Sequence, residues 1–351
     1  MQDRVRGRSE AERSSGGRRA PGLRCGRSRL VRWIGVLGLV LGIAACSEPP
    51  APPLTVGINT RVGYDPLVLA RDRGMADVAQ LKVVELISSA EAVRHLRNGL
   101  LDAAALTLGD ALRLVDSGFD VRIVALLDIS AGADMVLVAP HITNLQKLRG
   151  EHIAVEDATV GTLMLERALR KAGLRRDDVT VVRMGATQHL TALRSGRVAA
   201  AVSYAPVDGA IRSLGYRPLF DSSEMPGEIV DVLVVRTEVL RQRPEAVDAL
   251  LAAWAAGLNV LQLDPLGAAA SLAPGADLSP AQYQAVLRGL RFYSPAESLA
   301  LLTGDPPGVA LQGQEVARLL VELGLSRQPP NWAALIDTAP AARAPGSGLL
   351  P

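Results

Sequence analysis

The chain has 351 residues, with 38 basic and 36 acidic side chains, 48% hydrophobic residues and only 3% aromatics. A formal charge of +2 over this length, with so few rings, excludes a basic surface interleaved with stacking aromatics, and with it a nucleic-acid partner. No single phosphate, zinc or nucleophile motif stands out, so function has to be read from organisation.

The charge is unevenly placed. Residues 1–32 hold ten Arg against Asp3, Glu10 and Glu12, and an apolar run of 13 residues, Trp33 to Ala45, follows at once. That run is too short to cross a bilayer as a helix, which needs about 20 residues. A basic region, a short apolar region and small residues at its end describe a secretory signal. The basic region is long for one, which leaves room for a start downstream of Met1. The run closes on Ile43-Ala44-Ala45-Cys46, which resembles the bacterial lipobox. The resemblance implies removal of residues 1–45 and lipidation of Cys46. Export and a lipid anchor on the periplasmic or extracellular side follow, with the inner membrane favoured. Cys25 lies in the discarded part, so the mature chain carries one Cys and no disulfide. Residues 46–53, with four Pro between Glu48 and Pro53, read as a stiff tether. Setting the ten Arg and three acids aside leaves 28 basic against 33 acidic side chains, a net charge of −5 on 306 residues. That length suits one large or two medium domains.

From residue 54 short β-branched runs alternate with amphipathic segments. Strands are predicted at 54–58, 83–87, 103–106, 121–127 and 135–139, with helices at 66–73, 88–98 and 110–116 between them. Ser88 is the expected cap of the second helix, with Glu91 at the capping-box position. A short helix at 145–148 precedes a second series: strands at 153–156, 179–183, 199–203 and 230–236, and helices at 162–172, 187–195 and 207–214. Strands this short and apolar, each followed by a helix, predict mostly parallel sheets covered on both faces. Beyond residue 236 only helices are expected, at 244–263, 280–290, 295–301 and 312–323. Residues 339–351, rich in Ala, Pro and Gly, read as a disordered tail.

The segment Val56-Gly57-Ile58-Asn59-Thr60-Arg61-Val62-Gly63-Tyr64-Asp65-Pro66, running on to Gly74-Met75, resembles the solute-binding proteins of ABC importers for nitrate, sulfonates, taurine and thiamine-pyrimidine precursors. So do Asn98-Gly99-Leu100-Leu101-Asp102-Ala103, Leu145-Gln146-Lys147-Leu148-Arg149-Gly150 with Ile153-Ala154-Val155, and Ser203-Tyr204-Ala205-Pro206. Their order and spacing carry the likeness over about residues 54–265. The resemblance implies an α/β type II periplasmic-binding-protein fold: two doubly wound lobes joined by two crossing segments, with a cleft between. Lobe I would comprise residues 54–134 and 232–338, and lobe II residues 135–231, with the crossings near 134–139 and 229–236. It also implies a monomer that hands a small solute to a permease and its ATPase, without a cofactor. A ligand-sensing module and an enzyme on the same bilobal scaffold are the alternatives.

Ligands of such sheets sit beyond the C-terminal ends of strands. The candidate binding residues are therefore Asn59, Thr60, Arg61, Tyr64, Thr107, Asp110, Asp134, Glu156, Thr159, Thr162, Tyr204 and Asp231. Tyr64 offers a ring and a hydroxyl, or packs under the first helix. Arg61 either clamps an anion in a bidentate fashion or is a solvated surface Arg. Thr107 and Asp110 either cap the next helix or face a ligand. In the loop Glu156–Thr162 two carboxylates precede a helix start that would otherwise attract an anion; they either repel an anion there or cap the helix and complement its dipole. With Asp65, Asp208 and other acids at loop ends, the rim is acidic, which favours an amine or amino-heterocycle over a sulfonate or nitrate. Phosphate-loop, nucleophile-elbow and zinc-protease motifs are missing, and the four His are scattered. No catalytic or metal-binding residue is expected.

Overall fold

The computed structural model describes residues 51–346. The expected signal, the expected lipidation site Cys46 and most of the expected tether fall outside the described residues. Pro52 onward forms one compact unit. Eleven strands make two sheets. In chain order they are β1 (Leu54–Asn59), β2 (Leu81–Leu86), β3 (Ala103–Thr107), β4 (Val121–Ser130), β5 (Asp134–Val138), β6 (His152–Val155), β7 (Thr180–Arg183), β8 (Ala200–Tyr204), β9 (Arg217–Asp221), β10 (Val230–Arg236) and β11 (Leu290–Phe292). One sheet has the order β11-β4-β10-β3-β1-β2 and defines lobe I. The other has the order β7-β6-β8-β5-β9 and defines lobe II.

Each lobe receives one strand from the chain's passage through the other. β10, arriving from lobe II, inserts antiparallel between β3 and β4. β5, arriving from lobe I, inserts antiparallel between β8 and β9. Among the strands of the described residues, only β1–β2, β1–β3, β6–β7 and β6–β8 pair in parallel, so both sheets are mixed rather than mostly parallel. A strand buried on both faces carries the same apolar run in either direction, and its sequence does not reveal the difference. β5 and β10, expected to be the crossings, lie inside the sheets. The crossings are the short segments before them, residues 131–133 and 222–229. This moves the lobe boundaries: Asp134 belongs to lobe II, and Val230 and Asp231 to lobe I.

Ser222 ties the two crossings together. Its buried Oγ lies 2.7 Å from Ser130 Oγ and accepts from Gly132 N at 2.7 Å and Asp134 N at 3.4 Å. Gly132, with φ of 121°, turns the first crossing where an L side chain would be strained.

Helices cover both sheets. The helix Ser89–Arg97 is capped by Ser88, whose side chain accepts from Glu91 N, while Glu91 Oε2 accepts from Ile87 N. The helix Pro244–Leu263 is long and apolar enough to cross a membrane by composition. Here Leu250, Leu251, Trp254 and Leu258 are buried in lobe I instead. It packs on the helix Asp65–Asp72 so closely that a Cβ on Gly257 would lie 1.8 Å from Pro66 O. Two expectations for the C-terminal region fail. β11 is a strand beyond residue 236, a three-residue edge pairing with Ser130–Asp128 of β4. The expected tail begins as the helix Ala339–Arg343, with Pro340 and Ala341 buried and Arg343 bound to Asp248 at 2.8 Å. Small residues that read as disorder here permit close packing.

A candidate ligand site between the lobes

The turn after β1 places Arg61 at the junction of the lobes. Asn59 holds that turn: its Oδ1 accepts from Arg61 N at 3.1 Å, and its Nδ2 donates to Ser89 Oγ at 2.7 Å. The Arg61 side chain then reaches into lobe II. Its Nη2 donates to Asp134 Oδ2 at 2.7 Å, and its Cζ lies 4.7 Å from the centre of the Tyr204 ring. Its Nε is 3.5 Å from Asp231 Oδ2 of lobe I. Two carboxylates hold the guanidinium above its ordinary pKa despite burial. Asp134 and Tyr204 are register partners on β5 and β8, which sets them side by side.

A second bridge joins the lobes at helix ends. Thr107 caps the helix Leu108–Asp116 by accepting from Asp110 N at 3.2 Å. Asp110 Oδ1 in turn accepts from Thr159 N at 2.9 Å and Thr159 Oγ1 at 2.6 Å. Thr159 opens the helix Thr159–Lys171 of lobe II. The helix start that could have taken an anionic ligand therefore already carries a carboxylate from the other lobe. Gly109 makes this approach possible, since a Cβ there would lie 2.3 Å from Thr159 Cγ2.

The interlobe cavity is lined by Arg61, Thr107, Asp134, Glu156 and Tyr204 of the expected residues, with Ser89, Ser203 and the 158–161 turn. Asn59, Tyr64, Asp110, Thr159 and Asp231 are buried around these side chains. Thr60 is exposed, and Thr162 is half-buried on the helix; neither lines the cavity. Asp157 is exposed and pairs with Arg183 at 3.1 Å. Two rim acids also turn elsewhere: Asp65 accepts from Tyr283 Oη, and Asp208 pairs with Arg212 at 2.8 Å.

Five buried carboxylates surround one guanidinium: Asp110, Asp128, Asp134, Glu156 and Asp231. Asp128 was missed as a site residue because it lies within an apolar strand. The one available signal was a charged residue in the run Ala125-Leu126-Leu127-Asp128-Ile129. Neither oxygen of Asp128 has a hydrogen-bond partner among the described residues, nor has Asp110 Oδ2, Glu156 Oε1 or Asp231 Oδ1. Burial pushes Asp128 well above the usual carboxylate range, Asp231 to about 7, and Glu156 upward. Tyr64 is fully buried in the 3-10 turn Val62–Tyr64, and its phenol is pushed upward by burial and by Asp231. Arg61 is already paired with Asp134 and Asp231, while Tyr64 Oη, Ser203 Oγ and several carboxyl oxygens are buried without partners among the described residues, so a ligand that both donates and accepts hydrogen bonds would satisfy them.

A family model described as the NMT1-like family matches residues 47–273. A Brucella abortus protein, provisionally named as a binding protein, is 31% identical over 164 residues, 46% of this chain and 50% of its own length. The chain thus matches about half the length of such curated relatives. Among solved structures, the alkanesulfonate-binding protein SsuA from Xanthomonas axonopodis pv. citri, bound to MOPS, is similar with a TM-score of 0.71 and 18% identity. The match covers 83% of this chain and 100% of that one. The desulfurization enzyme DSZB matches with a TM-score of 0.61 and 18% identity, over 82% and 97% of the two chains. At these identities the likeness establishes the bilobal periplasmic-binding-protein fold.

Proposed function

The chain belongs to the NMT1-like family, and we propose that it is the extracytoplasmic solute-binding component of an ABC importer, anchored by a lipid on Cys46. A polar cavity whose walls come from both lobes carries this reading. Asp134, Glu156 and Tyr204 of lobe II face Arg61 and Thr107 of lobe I, so movement about the Ser222-linked crossings opens and closes the site around a solute. The closed form presents both lobes to a permease and its ATPase in a geometry that the open form lacks.

The preferred solute is a small amine or amino-heterocycle. The one guanidinium beside the cavity is already paired with Asp134 and Asp231, so an anion meets no unpaired cation there, while buried carboxyl oxygens without donors favour an N–H-bearing solute. An organic sulfonate is the second choice, favoured by the SsuA likeness in fold. A melting-temperature screen of amines, amino-pyrimidines, sulfonates and nitrate, followed by X-ray scattering with each hit, tests this role. The expected result is a hit that also compacts the molecule. Turnover of a hit would favour instead the enzymatic use of the scaffold, as in DSZB. For the anchor, palmitate labelling of the full chain in a bacterial host should be lost in Cys46→Ser.

A further inference from the structure

Arg61 stands where the solute of that proposed role would stand. Its guanidinium lies between the lobes, against Asp134 at 2.7 Å and Asp231 at 3.5 Å, with the Tyr204 ring 4.7 Å from Cζ. The cavity left beside it holds about 20 Å³. That is room for about one water. A solute with several heavy atoms fits only if this side chain leaves.

Two carboxylates and an aromatic face are the contacts that a free planar cation requires. The remaining acids point the same way. Among the described residues Glu156 Oε1 and both oxygens of Asp128 are buried without partners, and burial drives both groups toward their neutral forms, which an entering cation would reverse. An anionic solute would have to detach Arg61 from Asp134 and Asp231 and leave those two buried carboxyls without their cation. A cationic solute also displaces Arg61, but it takes over the two carboxylates that Arg61 leaves. The backbone also permits the exchange: Arg61 follows exposed Thr60 and precedes the helix that starts at Asp65, so its side chain can swing out without unwinding that helix.

We propose that Arg61 is a built-in surrogate for the solute: its guanidinium holds the seat of a planar organic cation, and binding exchanges one for the other. The solute class is a guanidinium, an amidinium or a protonated amino-heterocycle. Without the surrogate the seat should accept a free guanidinium; with it, the seat should discriminate against weak cations by competition.

Calorimetric titration of methylguanidinium into the purified chain tests this directly. Arg61→Ala is expected to bind it at least tenfold more tightly than wild type, and Arg61→Ala combined with Asp134→Asn should lose that gain. Arg61→Lys keeps a charge but not a planar fork, and serves if the Ala variant does not fold; it too should bind methylguanidinium more tightly than wild type. A folded Arg61 variant with no gain, or a gain that survives Asp134→Asn, overturns the proposal. Tight binding of ethanesulfonate by wild type, with compaction, would overturn it while leaving the solute-binding role intact. A methylguanidinium gain in Arg61→Ala, with no lobe movement for any solute, would support the seat and count against the importer role.

Discussion

Asp231 on β10 lies directly opposite Asp128 on β4, two buried carboxylates in register across neighbouring antiparallel strands. Like charges so placed repel, and no hydrogen-bond donor offsets Asp128. Burial, then each other's charge, raises Asp128; burial raises Asp231 to about 7, against the lowering pull of Arg61. The folded chain therefore binds more protons than the unfolded chain between about pH 4 and 7. The stability this contributes is complete below the unfolded value and is lost as pH rises through the folded one. Asp65, also raised to about 7 by burial beside Tyr283, acts in the same direction, so the comparison must be with a variant. Thermal melts from pH 4.5 to 8.5 should show wild type weakening as pH rises from 4.5 through 7 and Asp128→Asn weakening less. At pH 8 the variant should be the more stable of the two, because Asn keeps the shape of the acid, cannot ionise and can donate to Asp231 opposite it. Parallel melting curves would remove the carboxyl pair from this account.

The contact of Gly257 with Pro66 gives a second prediction. A Cβ there would sit 1.8 Å from a backbone oxygen, which no rotamer change relieves. Gly257→Ala should cost about 3 kcal/mol or more by overpacking, although Ala favours a helix. Urea unfolding measures this; a neutral or stabilising change would mean that the two helices are free to separate.

What the sequence made legible follows from these examples. Residues near strand ends were readable, because the rule that ligands lie beyond strand C-termini needs only strand positions; Arg61, Thr107, Asp134, Glu156 and Tyr204 all reach the cavity. Asp128 was not, since it sits inside β4 rather than at a loop, and only the pairing of β4 with β10 brings it to Asp231. Partner choice was hidden for the same reason. By sequence Arg61 suits an anion clamp and a solvated position equally; the fold instead sets Asp134 and Asp231 around it. The mixed direction of the sheets and the helix at Ala339–Arg343 also depend on which distant segment each run meets.

Ser222 provides a test of the hinge. Its Oγ is shared by Ser130 Oγ and by the amides of Gly132 and Asp134, all at the first crossing, while Ser222 itself belongs to the second. Ser222→Ala removes the acceptor and leaves those donors buried or half-buried without it. A loss of roughly 1–3 kcal/mol is expected, and amide exchange at residues 130–134 should accelerate by tenfold or more. Unchanged exchange there would show that the crossings hold without this contact.

Closure itself can be separated from stability at Gly109. Asp110 receives two hydrogen bonds from Thr159 across the lobes, and this approach depends on the missing side chain of Gly109, whose Cβ would lie 2.3 Å from Thr159 Cγ2. Gly109→Ala adds a methyl group that clashes only while the lobes are together. Once they part, the clash disappears, and Ala is a better helix residue than Gly. The variant should therefore melt close to wild type, show a larger radius of gyration in X-ray scattering, and bind solute at least tenfold more weakly. Thr159→Val should reproduce part of the effect by losing the 2.6 Å bond to Asp110. A double-mutant cycle with Asp110→Ala should give a coupling of roughly 1.5–3 kcal/mol, as for hydrogen bonds to a charged group. If Gly109→Ala stays as compact as wild type, the contact adjusts within the closed form and does not control closure. If it unfolds, the lobes are not independent of the contact, and the hinge must lie elsewhere than at residues 131–133 and 222–229.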